Sequence, residues 1–176
     1  MYDPDAAGIV NSSSVVCMRV IGIDPGTAIT GWGVVESTDG VLNPVAFGCI
    51  RTTPRQSRAE RLKKIYEDLL AVIKEVAPER MAIEKIFFNA NVKTALSVGQ
   101  ARGVCLLAAA VSGLPAYEYN TSEVKNIITG YGRATKSEVA VRVKELLQLS
   151  EIPKPDDVTD ALAIATAHIF LMEKEL

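Results

Sequence analysis

Apolar residues change their period several times along the chain, and each change marks an element. Met18 to Asp24 (MRVIGID) is a β-branched run that ends on an acid, and Pro25, Gly26 and Thr27 supply a turn after it. Residues 31–36 (GWGVVE) and 41–50 (VLNPVAFGCI) predict two more strands, divided by an Asp39-Gly40 turn signal. The chain thus opens as a three-strand meander. Over 57–76 the period becomes helical, with Leu62, Ile65, Tyr66, Leu69, Leu70 and Ile73 on one face. RMAIEKIFF (80–88) predicts a fourth strand, 92–111 a helix rich in Ala, Gly and Val, and LPAYEY (114–119) a fifth strand. Helices are then expected at about 122–128, 136–149 and from Asp157 onward. This order predicts an α/β fold, a mixed five-stranded sheet with helices on both faces. Residues 1–17 have no usable period and include an Asn-Ser-Ser-Ser tract, so they are expected to be a disordered N-terminal extension. Residues 18–176 are expected to form a single domain.

Composition agrees with that organisation. A chain of 176 residues, 48% hydrophobic and 23% charged, suffices for one core but not for two ordinary domains. The alanine-rich stretch at 104–111 is far shorter than a membrane span, and the acids Asp3 and Asp5 do not suit the basic start of a secretion signal. A cytoplasmic location without membrane contact is the expectation. Cys17, Cys49 and Cys105 are isolated, which argues against a disulfide framework and a thiolate zinc site.

The formal charge of −2 counts at first against a nucleic-acid partner. Without Asp3 and Asp5, however, 19 acids face 19 lysines and arginines, and the bases cluster. Arg51, Arg55, Arg58, Arg61, Lys63 and Lys64 form one group; Lys125, Arg133, Lys136, Arg142 and Lys144 form another. Either group could be a solvated helix face balanced by Glu60, Glu67, Glu138 and Glu145, or one pole of a dipolar surface.

Four acids carry the candidate chemistry. Asp24 ends the first strand, and Glu84 lies in a strand flanked by Ile83 and Ile86, where an unpaired carboxylate is costly. Asp157 and Asp160 stand three apart at the start of the last predicted helix, on one face and near its positive end. Asp24 and Glu84 would end or line neighbouring strands, with the last helix laid across them. Acids gathered in this way need a neutraliser, and for an all-oxygen set that is Mg²⁺ or Mn²⁺. Two such ions can support phosphodiester hydrolysis. Local alternatives stay open: Asp24 could accept N–H groups of its turn, Glu84 could pair with a buried arginine, and Asp157 could be a first-turn acid, with Asp156 the better capping candidate.

A rival class is a nucleotide-binding, ATPase-like module that uses Asp24 and the following glycine turn for metal and phosphate. No GxxxxGK[ST] or GxGxxG pattern accompanies that turn. A noncatalytic DNA-binding module would leave the four acids without a purpose.

The segments IGIDPGTAITGWGV (21–34), GCIRT (48–52), IEKIFFNANVKTALSVGQARGV (83–104), YEYNTSEVKNIITGYGRATKSEV (117–139) and DDVTDALAIATAH (156–168) together resemble the RuvC family of crossover junction endodeoxyribonucleases. These are Holliday junction resolvases with a ribonuclease H-like fold, acting in recombination and repair. The resemblance implies a homodimer that binds a four-way DNA junction, works with a RuvA-RuvB branch-migration complex, and nicks one strand per subunit to leave 5′-phosphate and 3′-hydroxyl ends. It implies that Asp24, Glu84, Asp157 and Asp160 are the catalytic, metal-holding acids, with two Mg²⁺ ions per site and Mn²⁺ as a substitute. It further implies catalytic and phosphate-handling roles for Lys125 and Lys136, and DNA contact by Phe87. Arg133 flanks a Gly-Tyr-Gly loop able to follow a DNA backbone. On residues alone, Phe87 and Phe88 could both be core. His168, the single histidine, is expected to pack and hydrogen-bond rather than ligate. The small residues of 92–111 suit either a dimer contact or packing on the sheet. The resembled family is usually basic, so the acidic balance here implies weaker nonspecific DNA binding.

Overall fold

The computed structural model describes residues 17–85 and 92–174, and the side chains of the second stretch from residue 95 onward. The predicted extension, apart from Cys17, lies outside the described residues. Cys17 itself begins the first strand, paired with Thr38. The elements are β1 (Cys17–Asp24), β2 (Ile29–Thr38), β3 (Val41–Arg51), α1 (Arg58–Val76), β4 (Arg80–Glu84), α2 (Val92–Val111), β5 (Ala116–Tyr119), α3 (Thr121–Thr129), α4 (Lys136–Leu146) and α5 (Asp156–Glu173).

The strands form one five-stranded sheet in the order β3-β2-β1-β4-β5. β1, β2 and β3 pair antiparallel, whereas β4 joins β1, and β5 joins β4, in parallel. The sheet is therefore mixed, as the order of periods predicts. Asp39 and Gly40 close the β2–β3 turn with positive φ (51° and 79°), the geometry that favours an Asp-Gly pair.

Strand alternation sends successive side chains to opposite faces, so β1 feeds two cores. Ile21 and Ile23 pack with Val34, Met81 and Ile83 beneath α1 and α2. Val20, Val35 and Ala82 pack beneath α5, with α3 and α4 completing that layer. Ser57 and Glu60 form a reciprocal capping box that starts α1, which buries Ile65, Leu69, Ile73 and Val76. Its basic residues include the exposed pairs Lys63–Glu67 at 3.6 Å and Lys64–Asp68 at 2.6 Å, a solvated helix face. α5 is buried continuously from Ala161 to Ile169 and is the central helix of the second layer.

Two boundaries differ from the pattern by three positions or more. α4 ends at Leu146, three positions early, because Gln148 turns to φ 50°. β4 ends at Glu84 rather than continuing, and Ile86, Phe87 and Phe88 lie outside the described residues.

Candidate active site

Asp24 and Glu84 leave the same end of neighbouring parallel strands. Ile23 pairs with Ile83, so the next residue on each strand is one of the two acids. Across β2, Asp24 pairs with Gly31, and this glycine decides how closely α5 can approach. A Cβ at Gly31 would stand 2.0 Å from the backbone oxygen of Asp157. At Gly22, one would stand 2.0 Å from the backbone oxygen of Ala161. Bare backbone at these positions lets the first turns of α5 lie directly on β1 and β2. Asp157 and Asp160 are thereby brought to the sheet end that carries Asp24.

The acids feel one another. The carboxyl of Asp24 is half-buried, and its pKa is pushed up to about 8 by burial first, then by the charges of Glu84, Asp160 and Asp157, with Lys136 offsetting part of the rise. Asp160 is also raised, by burial, against the opposing hydrogen bond and charge of Lys136. Lys136 lies at the first position of α4, with Nζ 2.7 Å from Asp160 Oδ2 and 4.0 Å from Asp156. Partial burial works to lower its pKa, but the hydrogen bond to Asp160 and the charges of Asp160, Asp156 and Asp24 outweigh that and raise it.

Glu84 accepts a hydrogen bond from the Thr121 hydroxyl. Arg102, the nearby arginine, donates from Nε to the backbone oxygen of Glu84 at 3.1 Å and pairs through another nitrogen with Glu118. Arg102 thus anchors the main chain of Glu84 and pairs with the carboxylate of Glu118, which is not the arginine–Glu84 carboxylate pair the sequence left open. A cleft of about 190 Å³ opens between these groups, lined by Glu84, Thr121, Lys125, Lys136 and Asp160 over a floor of Val124, Val139, Ala163 and Ile164. Val124 of α3 and Val139 of α4 are anchored in the core beside α5, which carries both lysines to the cleft.

Among the described residues, no three acidic, histidine or cysteine side chains are gathered as a ready metal cage. Two of the acids already have a partner in the cleft, Glu84 in the Thr121 hydroxyl and Asp160 in the Lys136 ammonium. The donor set is nevertheless all oxygen, and Asp24, raised first by burial, feels three acids against the one lysine that offsets them. That imbalance fits a hard divalent cation.

The other sequence candidates fall in different places. Arg133 is exposed on the loop between α3 and α4, outside the lining of the cleft, and Phe87 lies outside the described residues. Asp157 is a first-turn acid of α5 as well as a contributor to the field at Asp24. The expectation that Asp156 caps this helix is corrected: Pro155 holds the N-cap position, and Asp156 pairs with Lys154 at 2.8 Å. His168 is fully buried, its Nδ1 2.6 Å from the Tyr119 hydroxyl, and burial followed by the charge of Arg80 pushes its pKa down to about 4. It is a packing residue. In the turn after Asp24 a Cβ at Gly26 would meet the Ile29 backbone oxygen at 2.3 Å, so this position requires glycine.

Two participants were missed by the residue-level reading. Gly31 passed as the first residue of the predicted strand 31–36, and Thr121 stood one residue before the helix expected at 122–128; the only signal for Gly31 is a glycine at a strand position.

Known proteins resemble this chain in sequence and in fold. The sequence family described as "Crossover junction endodeoxyribonuclease RuvC" matches residues 20–168. A protein of that name from Pelotomaculum thermopropionicum is 52% identical over 161 residues, which is 90% of this chain and 98% of that one. The Thermus thermophilus RuvC structure is 37% identical, with a TM-score of 0.82 over 90% of this chain and 97% of that chain. The same protein in complex with Holliday junction substrate gives 0.85 over 90% and 96%. The mixed sheet and its helices thus form a ribonuclease H-like fold of the RuvC kind, and the chain belongs to the crossover junction endodeoxyribonuclease RuvC family.

Proposed function

We propose that this protein resolves four-way DNA junctions by metal-dependent phosphodiester hydrolysis, cutting one strand per subunit and leaving 5′-phosphate and 3′-hydroxyl ends. The observation that carries the reading is geometric: Asp24 and Glu84 end the paired strands β1 and β4, and the first turns of α5, seated over Gly31, bring Asp157 and Asp160 to the same sheet end, where burial and then the field of these acids push the Asp24 carboxyl up. A divalent cation relieves that field. Asp24, Glu84, Asp157 and Asp160 would hold Mg²⁺ or Mn²⁺, with two ions per site expected. Bound there, such ions supply Lewis acidity that activates water and stabilises the leaving oxygen.

The chain's own groups handle the substrate. Lys125 and Lys136 line the cleft with Glu84 and Asp160, where their ammonium groups offset charge on the scissile phosphate. Arg133 adds a backbone contact farther along a DNA arm, and Phe87 supplies a ring for an unpaired base at the crossover. A two-fold dimer suits a substrate that is cut twice. Its support is the outer face of α2, where Leu96, Leu107 and Val111 are exposed around the open Gly103, while Ala101, Cys105 and Ala108 pack inward. A RuvA-RuvB complex acting on the same junction, in recombination and repair, is the expected partner, and the cytoplasm the expected location. Among the described residues no helix is long and apolar enough to cross a membrane.

The test is a labelled mobile junction incubated with Mg²⁺, Ca²⁺ or EDTA, beside linear duplex and ATP. Paired nicks with Mg²⁺, binding without cutting in Ca²⁺, and no cutting in EDTA are expected, because the larger ion tolerates looser geometry. Undiminished cutting in EDTA, or activity confined to ATP, would sink the proposal.

A further inference from the structure

Glu84 is fixed at three levels, and the third is unexplained by the fold. Its strand end is tied to β5 by the Lys85 N–H, which donates to the Tyr119 backbone oxygen at 2.8 Å. Its own carbonyl receives Arg102 Nε at 3.1 Å. Both bonds hold backbone, and neither orients the carboxylate. The carboxylate itself is held at Oε1 by the hydroxyl of Thr121.

That hydroxyl has no duty in starting α3. Thr121 is the first residue of the helix, whereas the side chain that closes back on the N-cap is Glu123, whose Oε2 accepts from the Asn120 N–H at 2.7 Å. Any residue compatible with a first helical position would serve the helix equally well. What Thr121 adds is a donor on a rigid element, aimed at an acid across the cleft that both residues line.

We propose that Thr121 is a positioning residue for Glu84: its hydroxyl selects the carboxylate orientation in which the site takes up a divalent cation. The proposal rests on the reading of Glu84 as a cation-holding acid. Donors that orient ligating carboxylates act through metal affinity and turnover, and their loss costs about 10-fold or more.

Three substitutions in the full-length chain separate the hydroxyl from the helix. Thr121→Val keeps the shape without the donor. Thr121→Pro also removes it, and proline is favoured at a first helical position. Asn120, at φ −79° and ψ 148°, already has the extended backbone that a following proline requires. Thr121→Ser retains the hydroxyl. Mn²⁺ binding is measured by calorimetry without DNA, and junction cleavage is resolved into kcat and KM. The Val and Pro variants should bind Mn²⁺ about 10-fold more weakly and lose kcat at fixed Mn²⁺ with KM for the junction unchanged, while Ser behaves as the parent. Parental Mn²⁺ binding by Val and Pro, or a Ser variant as impaired as Val, overturns the proposal alone. A parent protein that binds no Mn²⁺ overturns the metal-site reading and the proposal with it.

Discussion

The ammonium nitrogen of Lys136 stands 2.7 Å from a carboxylate oxygen of Asp160. Among the described residues, the cation paired with the acid cluster therefore comes from the start of α4 and not from the sheet. Lys136 offsets part of the field at Asp24 as well, so it is the resident counter-ion of a site that also suits a divalent cation.

Lys136→Gln should therefore move two measurements in opposite directions. Removing the competing ammonium should tighten Mn²⁺ binding in the absence of DNA. Cleavage should fall by about 100-fold, the lower end for loss of one preorganised charge-stabilising donor. Calorimetry and single-turnover cleavage at saturating Mn²⁺ report the two effects. If metal affinity and cleavage fall together, Lys136 organises the acids and does not compete with the ion.

Asp24 makes a prediction about stability and pH. Its folded-state pKa, about 8, lies above the ordinary value of 3.8. Below the lower value the carboxyl is protonated whether the chain is folded or not, and the site costs nothing. As pH rises toward 8 the unfolded chain releases this proton while the folded chain retains it, so stability falls, levelling off once the folded carboxyl ionises. In a chelator, Asp24→Asn should match the parent at pH 4 and exceed it increasingly up to pH 8, by about 5 kcal/mol as an upper bound. Thermal unfolding across that range checks it. Mg²⁺ should raise the midpoint of the parent at pH 8 and leave the Asn variant nearly unmoved. An Asn variant no more stable than the parent at pH 8 would mean that the acids do not strain the fold.

Much of this arrangement could be read from residue order. Asp24 and Glu84 stood out because acids at or inside β-branched runs have few structural excuses, and the i, i+3 spacing of Asp157 and Asp160 put both on one helix face. Convergence of the four followed from strand and helix order. The contacts that tune the site were not legible. Lys136 and Asp160 belong to different helices, and nothing in their spacing announces a 2.7 Å bond. Thr121 meets Glu84 only because β5 pairs in parallel with β4 and delivers the start of α3 to the same sheet end. Asp156 was misjudged because a capping preference is local, and Pro155 occupies the cap position instead. The role of Gly31 becomes visible only once α5 lies over it.

That glycine can be tested against its neighbour on the same strand. A Cβ at Gly31 meets the Asp157 backbone oxygen at 2.0 Å, whereas a Cβ at Gly33 meets chiefly the Leu162 side chain, at 2.6 Å. A side chain can rotate away; a helix backbone moves only by taking Asp157 and Asp160 with it. Gly33→Ala should cost about 1–3 kcal/mol of stability, the usual range for overpacking, and retain most turnover in the folded protein. Gly31→Ala should lower the unfolding midpoint and also lose most turnover per folded molecule. Equal kcat in the two folded variants would show that the seat of α5 on β2 is not what aligns the acids.

Asp160→Asn should yield a protein that folds and binds a four-way junction at least as well as the parent but does not cut it. The substitution keeps nearly the same volume, and Asn can still accept a hydrogen bond from Lys136, so α5 and the start of α4 should stay in place. It removes one negative charge from a cluster that a phosphate must approach, and this favours binding. It also removes the negative charge opposite Lys136 while keeping the hydrogen bond, which leaves more of that ammonium's charge for the DNA backbone. What disappears is an anionic oxygen needed where the attacking water and the developing charge have to be held, and such losses fall on turnover rather than affinity. Gel-shift titration in Ca²⁺ and cleavage in Mg²⁺, run on the same junction at the same protein concentration, separate the two quantities. A variant that binds more weakly than the parent would assign Asp160 to the architecture of the cleft, and one that cuts at the parental rate would remove it from the reaction.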